Sequence, residues 1–90
     1  MQKGCTMERE ILQLLYDKDG SIRVKDIQQL RGRLKSRGFT VQHLGELVKE
    51  MRNRRLIKLT KIHDGSGHTE MTMLDRGYDQ IGKKRQLAAA

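Results

Sequence analysis

FTVQHLGELVKEMRNRRLIKL, residues Phe39–Leu59, is the stretch from which the rest of the chain can be read. Val41, Leu44, Leu47, Val48 and Met51 recur at helical spacing, and Thr40 offers a side-chain oxygen to the first free amides. The spacing predicts a helix over 40–53 that ends near Asn53. At about 100° per residue the apolar set gathers on one side, so Gln42, Glu46, Lys49 and Asn53 point the opposite way, flanked by His43, Gly45, Glu50 and Arg52. That outer row is free to meet a partner. After Asn53 the character changes: Leu56–His63 (LIKLTKIH) is rich in Leu, Ile and Thr and reads as a strand.

Downstream, His68–Leu74 (HTEMTML) alternates polar residues with Met71 and Met73 and reads as a second strand. Asp64-Gly65-Ser66-Gly67 separates the two, a short loop with two glycines able to take positive φ, which predicts an antiparallel hairpin. Asp75 is positioned to cap a last short helix carrying Tyr78 and Ile81, and Gly82 with Lys83-Lys84-Arg85 then opens a polar tail. Upstream, Thr6 is a candidate cap for a first helix with Met7, Ile11, Leu14 and Leu15 on its apolar side and Leu12 widening it. Asp17-Lys18-Asp19-Gly20 ends it. Ser21–Val24 fits only a small strand, and Ile27, Leu30 and Leu34 mark a second helix. That helix ends either at Gly32 or after Lys35, at Ser36-Arg37-Gly38. The expected domain therefore spans 6–82, with 1–5 and 83–90 as flexible tails.

Ninety residues with a net charge of +8, 36% hydrophobic and 33% charged, fit one small globular domain and leave no room for a second. The charge is not spread evenly. Residues 21–61 carry twelve Lys and Arg against Asp26, Glu46 and Glu50, a net of +9, while the flanking segments are near neutral. A localised basic block is the electrostatic footprint of a polyanion, although it serves solubility as well. Cys5 is the single cysteine, so no internal disulfide forms, and no signal-like or bilayer-length apolar run is present. A cytoplasmic protein with no membrane segment is the expectation.

The order helix, small strand, helix, helix, hairpin, short helix resembles the winged helix-turn-helix superfamily. The run Phe39–Leu59 looks like the recognition helix and first wing strand of small bacterial and archaeal DNA-binding regulators, and Met73-Leu74-Asp75-Arg76-Gly77 is similar to the strand ending and basic-glycine step of the multidrug-resistance regulator family. The resemblance implies an α+β fold: three helices, a β-hairpin wing and a short C-terminal helix. It also implies double-stranded DNA as partner and a role in transcription regulation, with helix 40–53 in the major groove. Its early residues Thr40, Gln42, His43 and Glu46 are then the candidate base readers, since Gln can bond adenine at two points and Glu can accept from the cytosine amino group. Arg31, Arg33, Lys35 and Arg37 before the helix, Lys49 and Arg52 along it, and Lys58 and Lys61 on the wing would hold phosphates. One such module covers one half-site, so a homodimer is expected, formed through helix one or around Tyr78. The alternative is a winged-helix interaction module docking an acidic protein, motivated by Glu46, Glu50 and the scarcity of aromatic residues.

Other chemistry finds little support in the sequence. His63 and His68 flank the hairpin turn without an evident third ligand, so no metal is expected. Asp17-Lys18-Asp19-Gly20 fails as a calcium loop, because its glycine comes early and Gln28 stands where the loop needs Glu. Gly65-Ser66-Gly67 opens no helix and is too short to cradle a phosphate. Cys5 has no base beside it in sequence. No cofactor is expected, and no enzyme.

Overall fold

The computed structural model describes residues 3–84, with side chains from Met7 onward. It is an α+β domain of four helices and a three-stranded antiparallel sheet: α1 (Lys3–Asp17), β1 (Ser21–Val24), α2 (Ile27–Ser36), α3 (Leu44–Asn53), β2 (Ile57–Lys61), β3 (Thr69–Met73) and α4 (Asp75–Gln80). Strand order is β1-β3-β2, so β3 is central and the small strand pairs with it rather than standing alone. Register places Ile22 opposite Met71, Ile57 opposite Met73 and Leu59 opposite Met71. Since successive side chains alternate between faces, these residues share the buried face, on which the helices pack, while Ser21, Arg23, Glu70, Thr72, Lys58 and Thr60 share the other.

The core joins this sheet face to Ile11, Leu12, Leu14 and Leu15 of α1, Leu30 and Leu34 of α2, Leu44, Val48 and Met51 of α3, and Tyr78 and Ile81. Fully burying a side chain such as Leu or Met contributes about 1.5–3 kcal/mol, so this cluster is the main stabilising term of the domain. Glu8 is buried among it, and Arg54 reaches it with a 2.7 Å bond to Oε2. The pair ties the end of α3 to the middle of α1.

Local chemistry shifts several boundaries from those the sequence suggests. Thr6 lies inside α1, which already runs at Lys3, so the helix begins before the expected cap and residues 3–5 are helix rather than tail. The helix ends through Asp19 and Gly20, both at positive φ, with the Gly20 amide donating to Leu15 O. α2 takes the longer of its two endings: Gly32 is interior, Arg37 is the cap, and Gly38 follows at φ 89°. Its start is capped by Asp26, whose carboxylate accepts from the Gln29 amide while Gln29 Oε1 accepts from the Lys25 amide. This is a variant of the reciprocal capping box.

α3 begins at Leu44, four residues later than the apolar spacing indicates. His43 sits in the left-handed region at φ 55°, a conformation that cannot continue a right-handed helix, so Thr40 and Gln42 fall in the connector. Asp75 is the first residue of α4, after Leu74 at its cap position. Lys83 is not part of a loose tail: its amide donates to Tyr78 O and its ammonium lies 5.6 Å from the Tyr16 ring centre. Lys84 beyond it is exposed, and the rest of the expected C-terminal tail, 85–90, like residues 1–2 of the N-terminal one, lies outside the described residues. No described helix is long and apolar enough to cross a membrane.

Candidate nucleic-acid interface

α3 buries Leu44, Val48 and Met51, with Leu47 packed at the margin, which leaves Glu46, Lys49 and Asn53 along its outward line. Arg52 and Gly45 border that line on one side and Glu50 on the other, all exposed. Of the four expected base readers, only Glu46 stands on the helix. Its carboxylate lies 3.8 Å from His43 Nδ1, with both side chains more than three-quarters exposed, so the contact does little to fix either group. Thr40, Gln42 and His43 are exposed on the connector and turn before the helix, from which they reach outward independently of the α3 face.

The four cations between 31 and 37 do not form one patch. Arg31 and Arg33 are two residues apart on a helix, hence about 200° around its axis, and they occupy opposite flanks of the buried Leu30–Leu34 line. Both are half-buried, and each has an Nε shielded from solvent without a hydrogen-bond partner. Arg33 turns toward β1, where Nη2 lies 3.5 Å from Arg23 O. Lys35 is exposed on the Arg31 side. Arg37 is engaged elsewhere: its guanidinium bonds Asp17 at 3.0 Å and fastens the end of α2 to the end of α1. Gln13 donates to the same carboxylate, and this bond, ahead of Arg37, holds Asp17 below the usual carboxylate range.

Lys58 and Lys61 are both exposed on β2, but their positions differ by an odd number, so they leave the strand on opposite faces. Lys61 shares its face with Ile57 and Leu59, toward the helices. Lys58 shares the outer face with Arg23 and Glu70, which pair at 3.8 Å. The tip of the hairpin is organised by Asp64, whose carboxylate accepts from the Ser66 amide at 2.9 Å, and Gly65 and Gly67 take the positive φ values expected of such a turn.

The ion pairs engage three of the twelve cations between 21 and 61: Arg23, Arg37 and Arg54. The other nine have no carboxylate within ion-pair distance among the described residues. Sequence reading missed Arg54 as a structural cation and Asp26 as a cap; the second was legible in the spacing Asp26-Ile27-Gln28-Gln29 ahead of an apolar run. Tyr78, expected at a dimer contact, is buried and packs edge-on against Tyr16 with ring centres 6.3 Å apart. It is unavailable to a second copy. Among the described residues no group of three or more His, Cys, Asp or Glu comes together as a metal site. No protein family, curated protein or solved structure matches the chain.

Proposed function

We propose that the chain is a winged helix-turn-helix domain that binds double-stranded DNA and acts in transcription regulation. One observation carries the reading: nine of the twelve cations of segment 21–61 are left without an ion pair among the described residues, on α2, α3, β2 and the turns that lead into α2 and out of α3. A polyanion supplies the missing counter-charge. The element order and the β1-β3-β2 sheet support the winged-helix part of the reading, with α2 and α3 as the helix pair and β2–β3 as the wing. In this arrangement Glu46, Lys49 and Asn53 meet base edges, Gln42 and His43 approach from the turn, and Lys35, Arg52 and Lys61 meet the backbone.

Glu46 bears on the choice of partner, because a carboxylate on the contact face is repelled by phosphates and by an acidic protein alike unless a donor such as the cytosine amino group receives it. An interaction module for an acidic protein would use the same cations. Titration of the chain with a labelled random-sequence duplex and, separately, with a poly-glutamate peptide of equal charge separates the two. Saturable duplex binding with weaker peptide binding supports the DNA reading; the reverse order overturns it. We read the acting species as a homodimer, since one domain spans one half-site. The apolar residues of α1 from Ile11 to Leu15 are used inside the protomer, so among the described side chains a dimer contact on α1 draws on half-buried Met7 and Tyr16 and the polar side chains. Sedimentation equilibrium of the duplex complex showing one chain per site would remove this part.

A further inference from the structure

A groove of about 330 Å³ opens between α2 and the tip of the hairpin, lined by Arg23, Gln29, Arg33, Asp64, Ser66 and His68. Its hydrogen-bonding groups are unevenly matched. The acceptors are already engaged: Gln29 Oε1 takes the Lys25 amide at 2.7 Å, and Asp64 takes the Ser66 amide while the Ser66 hydroxyl helps to hold it ionised, its pKa lowered. Arg23 is drawn to two carboxylates, Glu70 at 3.8 Å and the field of Asp64. Arg33 is in the opposite condition. It brings five N–H donors in a fixed fork, its Nε is shielded from water without a partner, and its one acceptor, Arg23 O, stands at 3.5 Å, the outer limit of a hydrogen bond. The Gln29 amide nitrogen is likewise left with donors once its oxygen is engaged.

We propose that Arg33, with Gln29 and His68 beside it, forms a phosphate-binding groove between α2 and the hairpin tip. A tetrahedral anion presents several acceptor oxygens and can take two N–H donors of one guanidinium side by side once the side chain turns out from Arg23 O, a geometry in which Arg surpasses Lys. The carboxylate of Asp64 also lines the groove and, being ionised, opposes an anion there; Ser66 turns it to its own loop and Arg23 faces its field, while Glu70 competes for Arg23 rather than for Arg33. The assignment deepens the duplex-binding reading and rests on it for the source of the phosphate, a backbone diester; free inorganic phosphate shares the chemistry. A bound phosphate would join α2 to the wing, two elements that meet here only across an open groove.

Two-dimensional ¹H–¹⁵N spectra of the full chain test this, following the Arg33 Nε–H and the Gln29 side-chain amide during titration with inorganic phosphate and, separately, with a duplex. Both signals should shift and saturate with phosphate but not with chloride at equal ionic strength. Arg33→Gln should abolish the Gln29 response and weaken duplex binding about tenfold or more, the loss of one charge-assisted contact. Arg33→Lys, which keeps the charge and guards against a folding artefact, should lose the phosphate response and retain the salt dependence of duplex binding. Groove signals that respond to phosphate while the duplex leaves the whole spectrum unchanged would uphold the groove and overturn DNA as its source. A duplex that shifts α3 and leaves Arg33 and Gln29 silent would overturn the groove with DNA binding intact, as would a phosphate response that survives both substitutions.

Discussion

Gly77 shows how closely single residues are set. A Cβ built on it would stand 2.5 Å from Leu56 O and 2.7 Å from Met73 Cγ, so the start of α4 can lie on the α3–β2 connection only because the side chain is a hydrogen. Gly77→Ala must push apart a backbone carbonyl and a fully buried methionine, and overpacking of this kind costs about 1–3 kcal/mol. Urea denaturation should find the variant destabilised within that range, and an unchanged midpoint would contradict the packing. The carboxylate of Asp17 contributes differently. Its pKa is lowered, first by the Gln13 bond and then by Arg37, so its stabilising share is fully present above the ordinary carboxylate range and is lost as pH falls through the lowered folded value. Asp17→Asn should therefore narrow the difference in thermal midpoint between pH 7 and pH 3. A difference as wide as that of the parent chain would show that the bond is not made in solution.

Among the elements, β2 offers the sharpest contrast. Lys61 leaves the strand on the face that carries the helices, and Lys58 leaves on the other, beside Arg23 and Glu70. In duplex titrations Lys61→Ala should weaken binding to all sequences and lower the salt slope by about one, whereas Lys58→Ala should change neither. Equal losses would mean that the hairpin is gripped from both faces. Both lysines were visible in the sequence, but the face each would take depended on register, which Met71 and Met73 set through pairing with Leu59 and Ile57. Helical spacing revealed the buried line of α3 because the same residues, Leu44, Val48 and Met51, meet the core however the helix begins. Its start was hidden, since Thr40 is an acceptable cap and Val41 an acceptable core residue, buried from the connector instead. The left-handed turn at His43 that decides the matter has no mark in the sequence stronger than the tolerance of His for that region. β1 was legible as a strand of four residues, but its partner was not, because pairing with β3 across the whole of α2 and α3 is a long-range contact. The separation of Arg31 from Arg33 could have been read from the helical angle between them; the diversion of Arg37 to Asp17 could not.

Across the whole molecule, the organising feature is an imbalance of charge within a well-packed domain. The ion pairs of Arg37 and Arg54 pin the end of α2 and the end of α3, the exposed Arg23–Glu70 contact at 3.8 Å adds little, and the remaining cations of segment 21–61 face solvent or lie half-buried on α2, α3, β2 and the turns beside them. Arg37 and Arg54, which hold the fold together, should be insensitive to a polyanion, whereas the cations left over on the side of α3 and Lys61 should respond to one by releasing counterions from it. Duplex binding measured by fluorescence anisotropy over a range of salt concentrations is thus the most direct trial. Contact with about six phosphates predicts that log affinity falls against log salt with a slope near −5. A flat dependence, or no detectable binding at the lowest salt, would contradict the account.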